Sequence, residues 1–354
     1  MLGNSETIRI GIVGAGTNTR SKHIPLLQGI EGVEIVSVVN RSRESSERVS
    51  RQFGIPKVYD SWEELIKAQD TDAIVIGTWP YLHYPATMMA LTAGKHVMCE
   101  ARMAMNACDA SRMRDAARNH PELVTQIVPS PLTLLVDNTV KRLIAEGYTG
   151  KILAVEVRDT SGRFVDYNAP LHWRQDYELS GYNVMSLGIW YEAIMRWIGE
   201  ATDVTAKGKI FVKTRLDEVT GVKKAIQIPE HLIVLADMAC GAEATFVLSS
   251  VTGQVQVSEA ILFGEEGTLR FSDGVLYGAR REDKSFSEIQ IPPEEAGRWR
   301  VEEEFIAAIR GTETITLTTF EVGVKYMEFT EAVARSMTEN RTITLPPDYA
   351  KADI

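Results

Sequence analysis

The run Gly14-Ala15-Gly16-Thr17-Asn18-Thr19 follows an apolar stretch, Ile8–Val13, and has the spacing of a phosphate-binding turn. Gly14 permits a tight turn. Gly16 lets the backbone approach a pyrophosphate, whose charge would sit at the N-terminus of the next helix beside Thr17 and Asn18. Thr19 stands where a third glycine is usual, so the motif depends on its surroundings. A second group bears on which dinucleotide such a turn would hold. NAD sites place an Asp or Glu at the end of the second strand, to bind the ribose hydroxyls. Here that end reads Val39-Asn40-Arg41-Ser42-Arg43. Asn40 brings no charge to repel a 2′-phosphate, while Arg41, Ser42 and Arg43 offer charge and hydrogen bonds to hold one. The pattern favours NADP over NAD; the plainer reading is a solvated helix start with scattered arginines.

The elements that must position these residues are legible. Val33–Val39 reads as a second buried strand, Ser21–Gln28 can form the helix between the two strands, and Gly29 and Gly32 bracket its exit. A strand over Ala73–Gly77 follows a helix-like Trp62–Ala68. Another, His96–Cys99, follows Ala86–Ala93 and the C-cap candidate Gly94. Strands alternating with helices predict a doubly wound parallel sheet, an α/β Rossmann domain over residues 6–128. Pro129 and Pro131 then punctuate the chain, and Asp137–Glu146 is a short helix ending at Gly147. Beyond Gly150 the texture changes: Ile152–Arg158, Val204–Val212, His231–Ala239, Ala242–Ser250, Ser258–Gly264 and Thr268–Ser272 are strand-like, with helices over Tyr182–Ile198, Arg300–Arg310 and Phe320–Asn340. This predicts an α+β domain over residues 129–354 with a large, mostly antiparallel open sheet. Helix 320–340 is a candidate to pack back on the first domain.

Composition narrows the function classes. A chain of 354 residues with 44% hydrophobic and 24% charged residues suits two globular domains. A formal charge of −10 and a pI near 5.3 argue against a nucleic-acid or anionic-membrane surface. No apolar run approaches the roughly 20 residues of a membrane span, and the first seven residues lack a leader-like pattern. Cys99, Cys108 and Cys240 are odd in number and lack metal spacing, which suits a reducing cytoplasm.

In ordered pieces across nearly its whole length the chain resembles the glucose–fructose oxidoreductase/inositol dehydrogenase (Gfo/Idh/MocA) family. Besides the opening turn, these pieces are Gly77-Thr78-Trp79-Pro80-Tyr81-Leu82-His83, Ala93–Glu100, Trp173-Arg174-Gln175-Asp176, Phe263–Leu269 and the terminal helix running into Ile343–Leu345. The resemblance implies a nicotinamide cofactor bound by the turn, by Thr78, Trp79, Pro80 and His83, and by Glu100 and Ala101. It also implies a sugar, cyclitol or related polyol as substrate, and a homo-oligomer (dimer or tetramer) formed through the C-terminal sheet, where Ala244–Ser250 would be the material.

The chain departs from the family at its catalytic positions. Glu100 remains from a Glu-Lys-Pro signature, but Ala101 and Arg102 replace the lysine and proline. Ser186 and Trp190 stand where an Asp and a His, four residues apart on a helix, are expected. On that helix Val184, Leu187, Tyr191, Ile194 and Ile198 form a core stripe, while Asn183, Ser186, Trp190 and Ala193 lie on a face that would look at the cofactor cleft. Trp190 either packs there or lines a substrate pocket.

Hydride removal from an alcohol needs a group to take the hydroxyl proton, worth about 10²–10⁴ in rate; alanine and tryptophan cannot. His83, His172 and Tyr182 are the replacement candidates, although His83 and His172 also fit ordinary structural roles. Asp176 reads as a cap or bridge. Arg102 is a fixed cation able to hold substrate, with Trp173, Arg174 and Arg163 as helpers. Three readings follow: an NAD(P)-dependent oxidoreductase with non-standard acid/base residues, a cofactor-binding sensor or regulatory protein, and an enzyme of redox-assisted elimination or glycoside cleavage. The polar cleft residues favour the enzyme.

Overall fold

The computed structural model describes residues 7–347; residues 1–6, most of the segment without a leader-like pattern, and 348–354, the end of the second predicted domain, lie outside the described residues. Apolar runs separated by capped helices form β1 (Ile8–Val13), α1 (Ile24–Gln28), β2 (Val33–Val39), α2 (Arg43–Phe53), β3 (Lys57–Val58), α3 (Trp62–Lys67), β4 (Ala73–Ile76), α4 (Pro80–Thr92), β5 (His96–Cys99), α5 (Ala107–Asn119) and β6 (Thr125–Ile127). All six strands pair in parallel in the order β3-β2-β1-β4-β5-β6. This is a doubly wound sheet whose order reverses between β1 and β4, where ligands bind at the strands' carboxyl ends. Ile10, Ile12, Ala73, Ile74 and Ile76 are fully buried, as strands covered on both faces must be.

Boundaries differ from expectation where local chemistry moves them. The chain begins to coil at Thr19, in one wide turn closed by the Ile24 N–H on the Thr19 carbonyl, before α1. Helix α4 starts at Pro80 rather than Ala86, because proline's missing N–H costs nothing at the first helical position. Helix α2, not marked by the apolar pattern, is capped by Ser42, whose side chain accepts from Ser45 N, and ends at Gly54 with φ 67°.

The chain continues through α6 (Asp137–Ala145), β7 (Ile152–Ser161), α7 (Tyr177–Ser180), α8 (Leu187–Ile198), β8 (Ala201–Lys209), β9 (Thr214–Asp217), β10 (Val222–Ala225), β11 (His231–Met238), β12 (Glu243–Ser249), β13 (Gln256–Gly264), β14 (Gly267–Ser272), β15 (Val275–Arg280), β16 (Ser287–Glu288), α9 (Val301–Ile309), α10 (Phe320–Glu339) and β17 (Ile343–Thr344). A nine-stranded sheet runs β16-β15-β14-β13-β7-β12-β11-β8-β17, antiparallel except between β7 and β12; β9 and β10 form a separate hairpin. Two compact units result. Of the described residues, one holds 7–129 together with Arg300–Val324, and the other holds Ser130–Trp299 and 325–347. Helix α9 therefore belongs to the first unit, although it follows the sheet of the second in sequence.

In the second unit Leu232, Val234, Ala236, Ala244, Phe246 and Leu248 alternate inward and are buried, while Ile233 and Leu235 face outward, 42% and 46% exposed. Two expectations are corrected here. The predicted helix over Tyr182–Ile198 begins only at Leu187, because Gly181 (φ 63°) and Met185 (φ 43°) take left-handed backbone and Ser186 becomes the flanking residue. Asn183 and Ser186 are therefore off the helix. Trp190 is fully buried and packs edge-on against Phe271 at 6.3 Å; α8 is apolar nearly all round, so Trp190 is core rather than pocket lining.

Neighbouring Tyr191 stacks on Phe329 at 3.7 Å, and its hydroxyl accepts from Ala201 N at 2.9 Å. Tyr191→Phe should keep the stacking, strand the buried Ala201 N–H and lower stability by about 1–3 kcal/mol in urea titrations. An unchanged midpoint would show that this bond carries no stability.

Candidate functional site

The turn after β1 is built by close backbone packing. Gly14 has φ 85°, and its N–H donates to the Val39 carbonyl at 2.8 Å. A Cβ at Gly77, just after β4, would overlap Thr19 Oγ1 and the Gly14 carbonyl. The close approach that a third glycine usually provides is therefore supplied from the opposite side: Thr19 keeps its side chain, and Gly77 gives up its own. Gly16 and Thr17 are exposed, and among the described residues no acceptor meets their N–H groups. An exposed pair of backbone donors ahead of a helix fits a pyrophosphate.

At the end of β2 the three polar positions have distinct roles. Asn40 Oδ1 accepts from Ala15 N at 2.7 Å and its amide donates to Ser45, so this side chain is consumed in bracing the turn. Arg43 is paired with Glu47 and Asp60. Arg41 is exposed, has no carboxylate partner among the described residues, and its guanidinium lies 5.5 Å from the centre of the Trp79 ring.

At the end of β5 stands a buried charge cluster that no local pattern marks. His23 is fully buried, with Nε2 2.9 Å from Glu100 Oε1 and Nδ1 2.5 Å from Glu302 Oε1 on α9. Burial pushes the imidazole toward the neutral form, but the two carboxylate hydrogen bonds outweigh it and raise its pKa to about 9. Both nitrogens face acceptors, as an imidazolium requires. Burial likewise pushes the Glu100 carboxyl up, yet the His23 hydrogen bond and charge, with a bond from Asn18, bring it below its ordinary value. Glu100 Oε2 accepts from Ala101 N at 3.2 Å. Glu100 is thus a fixed, ionised group.

His83 is also buried, its Nδ1 2.9 Å from the Arg102 carbonyl and Nε2 3.1 Å from the Thr78 carbonyl; burial lowers its pKa. The ring ties the strand end at Thr78 to residue 102. Thr78, Trp79 and Ala101 are half-buried around it, and Pro80 and Arg102 are buried.

In the second unit a cavity of about 460 Å³ is lined by Asp159, Ser161, Arg163, Ser186, Ser249 and Gln256, among others. Ser186 Oγ donates to Asp159 Oδ2. Asp159, like His23 and Glu302, has no motif around it; its inward place on β7 is the only signal. His172 is exposed at the surface and caps the turn over Trp173–Gln175 by accepting from Arg174 N; partial desolvation of its ring, then the Arg174 charge, lowers its pKa. Arg174 lies over the Trp173 ring at 4.4 Å. Tyr182 packs edge-on against Tyr177 at 5.4 Å, and Asn183 is buried, donating to the Ser180 carbonyl at 2.7 Å. Asp176 caps α7 and pairs with Lys224 at 2.8 Å. Ser186 and Arg163 therefore share the cavity, whereas His172, Trp173, Arg174, Tyr182, Asn183 and Trp190 are not part of its lining. Among the described residues no cluster of ligands could hold a metal ion, and no helix is long and apolar enough to cross a membrane.

Residues 8–127 match a family model described as an oxidoreductase family with an NAD-binding Rossmann fold, and residues 138–270 match the GFO/IDH/MocA C-terminal domain. An uncharacterised oxidoreductase, ORF334, of Rhizobium meliloti is 26% identical over 62% of this chain and 63% of its own length, so the match spans just under two thirds of that relative. Glucose-fructose oxidoreductase domain-containing protein 1 of Xenopus tropicalis is 26% identical over 77% of this chain and 68% of its own. The fold is that of levoglucosan dehydrogenase solved with NADH and L-sorbose: TM-score 0.82 at 19% identity, over 96% of this chain and 99% of that one.

The His23 cluster links stability to pH. Its folded-state pKa, about 9, lies above the ordinary value of 6.5. Its contribution is therefore full below about pH 6.5 and lost as pH rises through about 9. Stability measured by urea unfolding should fall between pH 7 and 10. His23→Leu should cost about 3 kcal/mol at pH 6 and lose that slope; a parent curve flat over this range would refute the imidazolium.

Proposed function

This chain belongs to the Gfo/Idh/MocA oxidoreductase family, and we propose that it is an NAD(P)-dependent oxidoreductase acting on a sugar, cyclitol or related polyol. The observation that carries this reading is the intact turn, with exposed Gly16 and Thr17 N–H groups at the topological switch point of the sheet. Once bound, the nicotinamide would donate or accept the hydride. The protein's own groups would do the rest. Gly16 and Thr17 would hold the pyrophosphate beside Asn18, and Glu100, kept ionised by His23, would hold ribose hydroxyls as an acceptor. The sugar complex of levoglucosan dehydrogenase supports the substrate class.

Acid/base work falls to residues outside the β5 end. Glu100 is locked as an anion, Ala101 carries no proton, and both ring nitrogens of His83 face carbonyls. His172 accepts at Nδ1 and so carries its neutral proton on Nε2, available to a substrate oxygen; the Tyr182 phenol is the second donor. Trp173 and Arg174, in the turn that His172 caps, are its helpers in this reading. The replaced positions, Ala101, Ser186 and Trp190, favour the sensor reading instead. Absorbance of the reduced nicotinamide during incubation with NADP or NAD and a polyol panel separates the two: cofactor binding without any turnover would establish the sensor.

The reading favours NADP because Arg41 is free of carboxylates and the Ser42 hydroxyl, which accepts from Ser45 N, retains its own proton to donate. The outward Ile233 and Leu235 support a homo-oligomer joined through the large sheet, and the free thiols suit a cytoplasmic setting.

Arg41→Ala should raise the Kd for NADP about tenfold or more, the worth of a charge-assisted hydrogen bond, and leave that for NAD within about twofold. Equal effects on both would overturn the NADP preference. Leu235→Lys should shift the light-scattering mass toward the monomer; an unchanged mass would remove the sheet face as the interface.

A further inference from the structure

We propose that Asp159 is the residue by which this chain recognises its substrate, accepting hydrogen bonds from vicinal hydroxyls of an uncharged polyol, with Ser186 as its positioning residue. The proposal rests on the polyol reading above and names a carboxylate that sequence position does not reveal. Asp159 sits on the inward side of β7, where it lies opposite Leu248 of β12 and Ser258 of β13. Both neighbouring strands fix its backbone, so its carboxylate enters the cavity from a rigid element. Ser186 reaches it from the residue flanking α8, and their hydrogen bond joins a sheet residue to a helix start 27 positions away.

The lining states the chemistry of the occupant. A cavity of about 460 Å³ falls within the range of small-ligand sites, about 300–1,000 Å³. Its walls carry no aromatic ring, and Met185 is the one hydrophobic side chain among them; the hydroxyls of Ser161, Ser186 and Ser249 and the amide of Gln256 both donate and accept. One carboxylate and one guanidinium, Asp159 and Arg163, leave the lining without net charge. Such a surface offers little to an apolar ligand and no excess charge to an ionic one. It matches a ligand with several hydroxyl groups. Ser186 donates to Asp159 Oδ2 and leaves Oδ1 and the remaining lone pairs to accept from the ligand. It also holds the carboxylate in one rotamer, so less side-chain freedom is lost on binding.

The test is calorimetric titration of the full chain, with and without saturating NADP or NAD, using L-sorbose, levoglucosan, D-glucose and myo-inositol as probes. Asp159→Asn keeps the shape and removes the charged acceptor; it should weaken polyol binding about tenfold or more, while NADP affinity stays within about twofold. Ser186→Ala should weaken binding less, and Ser186→Thr, which keeps the hydroxyl, should restore it. Equal polyol affinity in Asp159→Asn and parent would overturn the proposal. So would parent protein that binds NADP but none of the probes. Asp159-dependent binding without hydride transfer would support the proposal while removing the oxidoreductase reading, so the two fail separately.

Discussion

A buried imidazolium held between two carboxylates is the interaction on which the cofactor end of this protein depends. His23 lies in the coil after the glycine turn, Glu100 ends β5, and Glu302 stands on α9, 279 positions from His23. Taking such groups out of water is costly, and only mutual pairing with further hydrogen bonds offsets that. Loss of His23 strands two carboxylates at once, so the imidazolium is the member the cluster cannot do without. It therefore registers the turn against the end of β5 and brings α9 into the first unit. It also sets the character of Glu100, whose partners keep it a fixed anion.

A second constraint is steric. Thr19 and Gly77 exchange the roles that a third glycine and an ordinary strand residue usually have. The requirement is an approach between the coil after β1 and the end of β4, and either partner can give up its side chain to meet it. The missing third glycine is thus a relocation of space. Asn40 completes the same structure, because a neutral amide can accept from Ala15 N and donate to Ser45 at once, which a carboxylate could not. Its lack of charge therefore has a structural cause of its own.

In the second unit the physical logic is burial. The α8 helix is apolar nearly all round and its tryptophan, tyrosine and isoleucine side chains fill the space between helix and sheet. Backbone with positive φ at Gly181 and Met185 stops the helix from extending backward. That break frees Ser186 from the helix register and lets it meet Asp159. The polar cavity and the apolar core are consequently neighbours that share one strand, β7, whose alternation sends Val155 and Val157 to the core and Asp159 to the cavity.

Local sequence determined much of the architecture: the glycine turn, the alternation of strands and helices in the first unit, the succession of strands in the second, and most strand positions to within a few residues. Val33–Val39 and His96–Cys99 were legible to the residue because short, mostly apolar runs that follow a glycine and end at a polar residue have few other uses. Periodicity misread Tyr182–Ile198, since apolar spacing persists through residues whose backbone cannot be helical. Tertiary structure alone decided the chemistry of the sites. His23, Glu302 and Asp159 are ordinary residues in their local contexts and acquire meaning only from partners brought from elsewhere in the chain. The reason is physical: secondary structure is set by neighbours a few positions away, whereas the charge state and hydrogen bonding of a buried group are set by whatever the fold places against it.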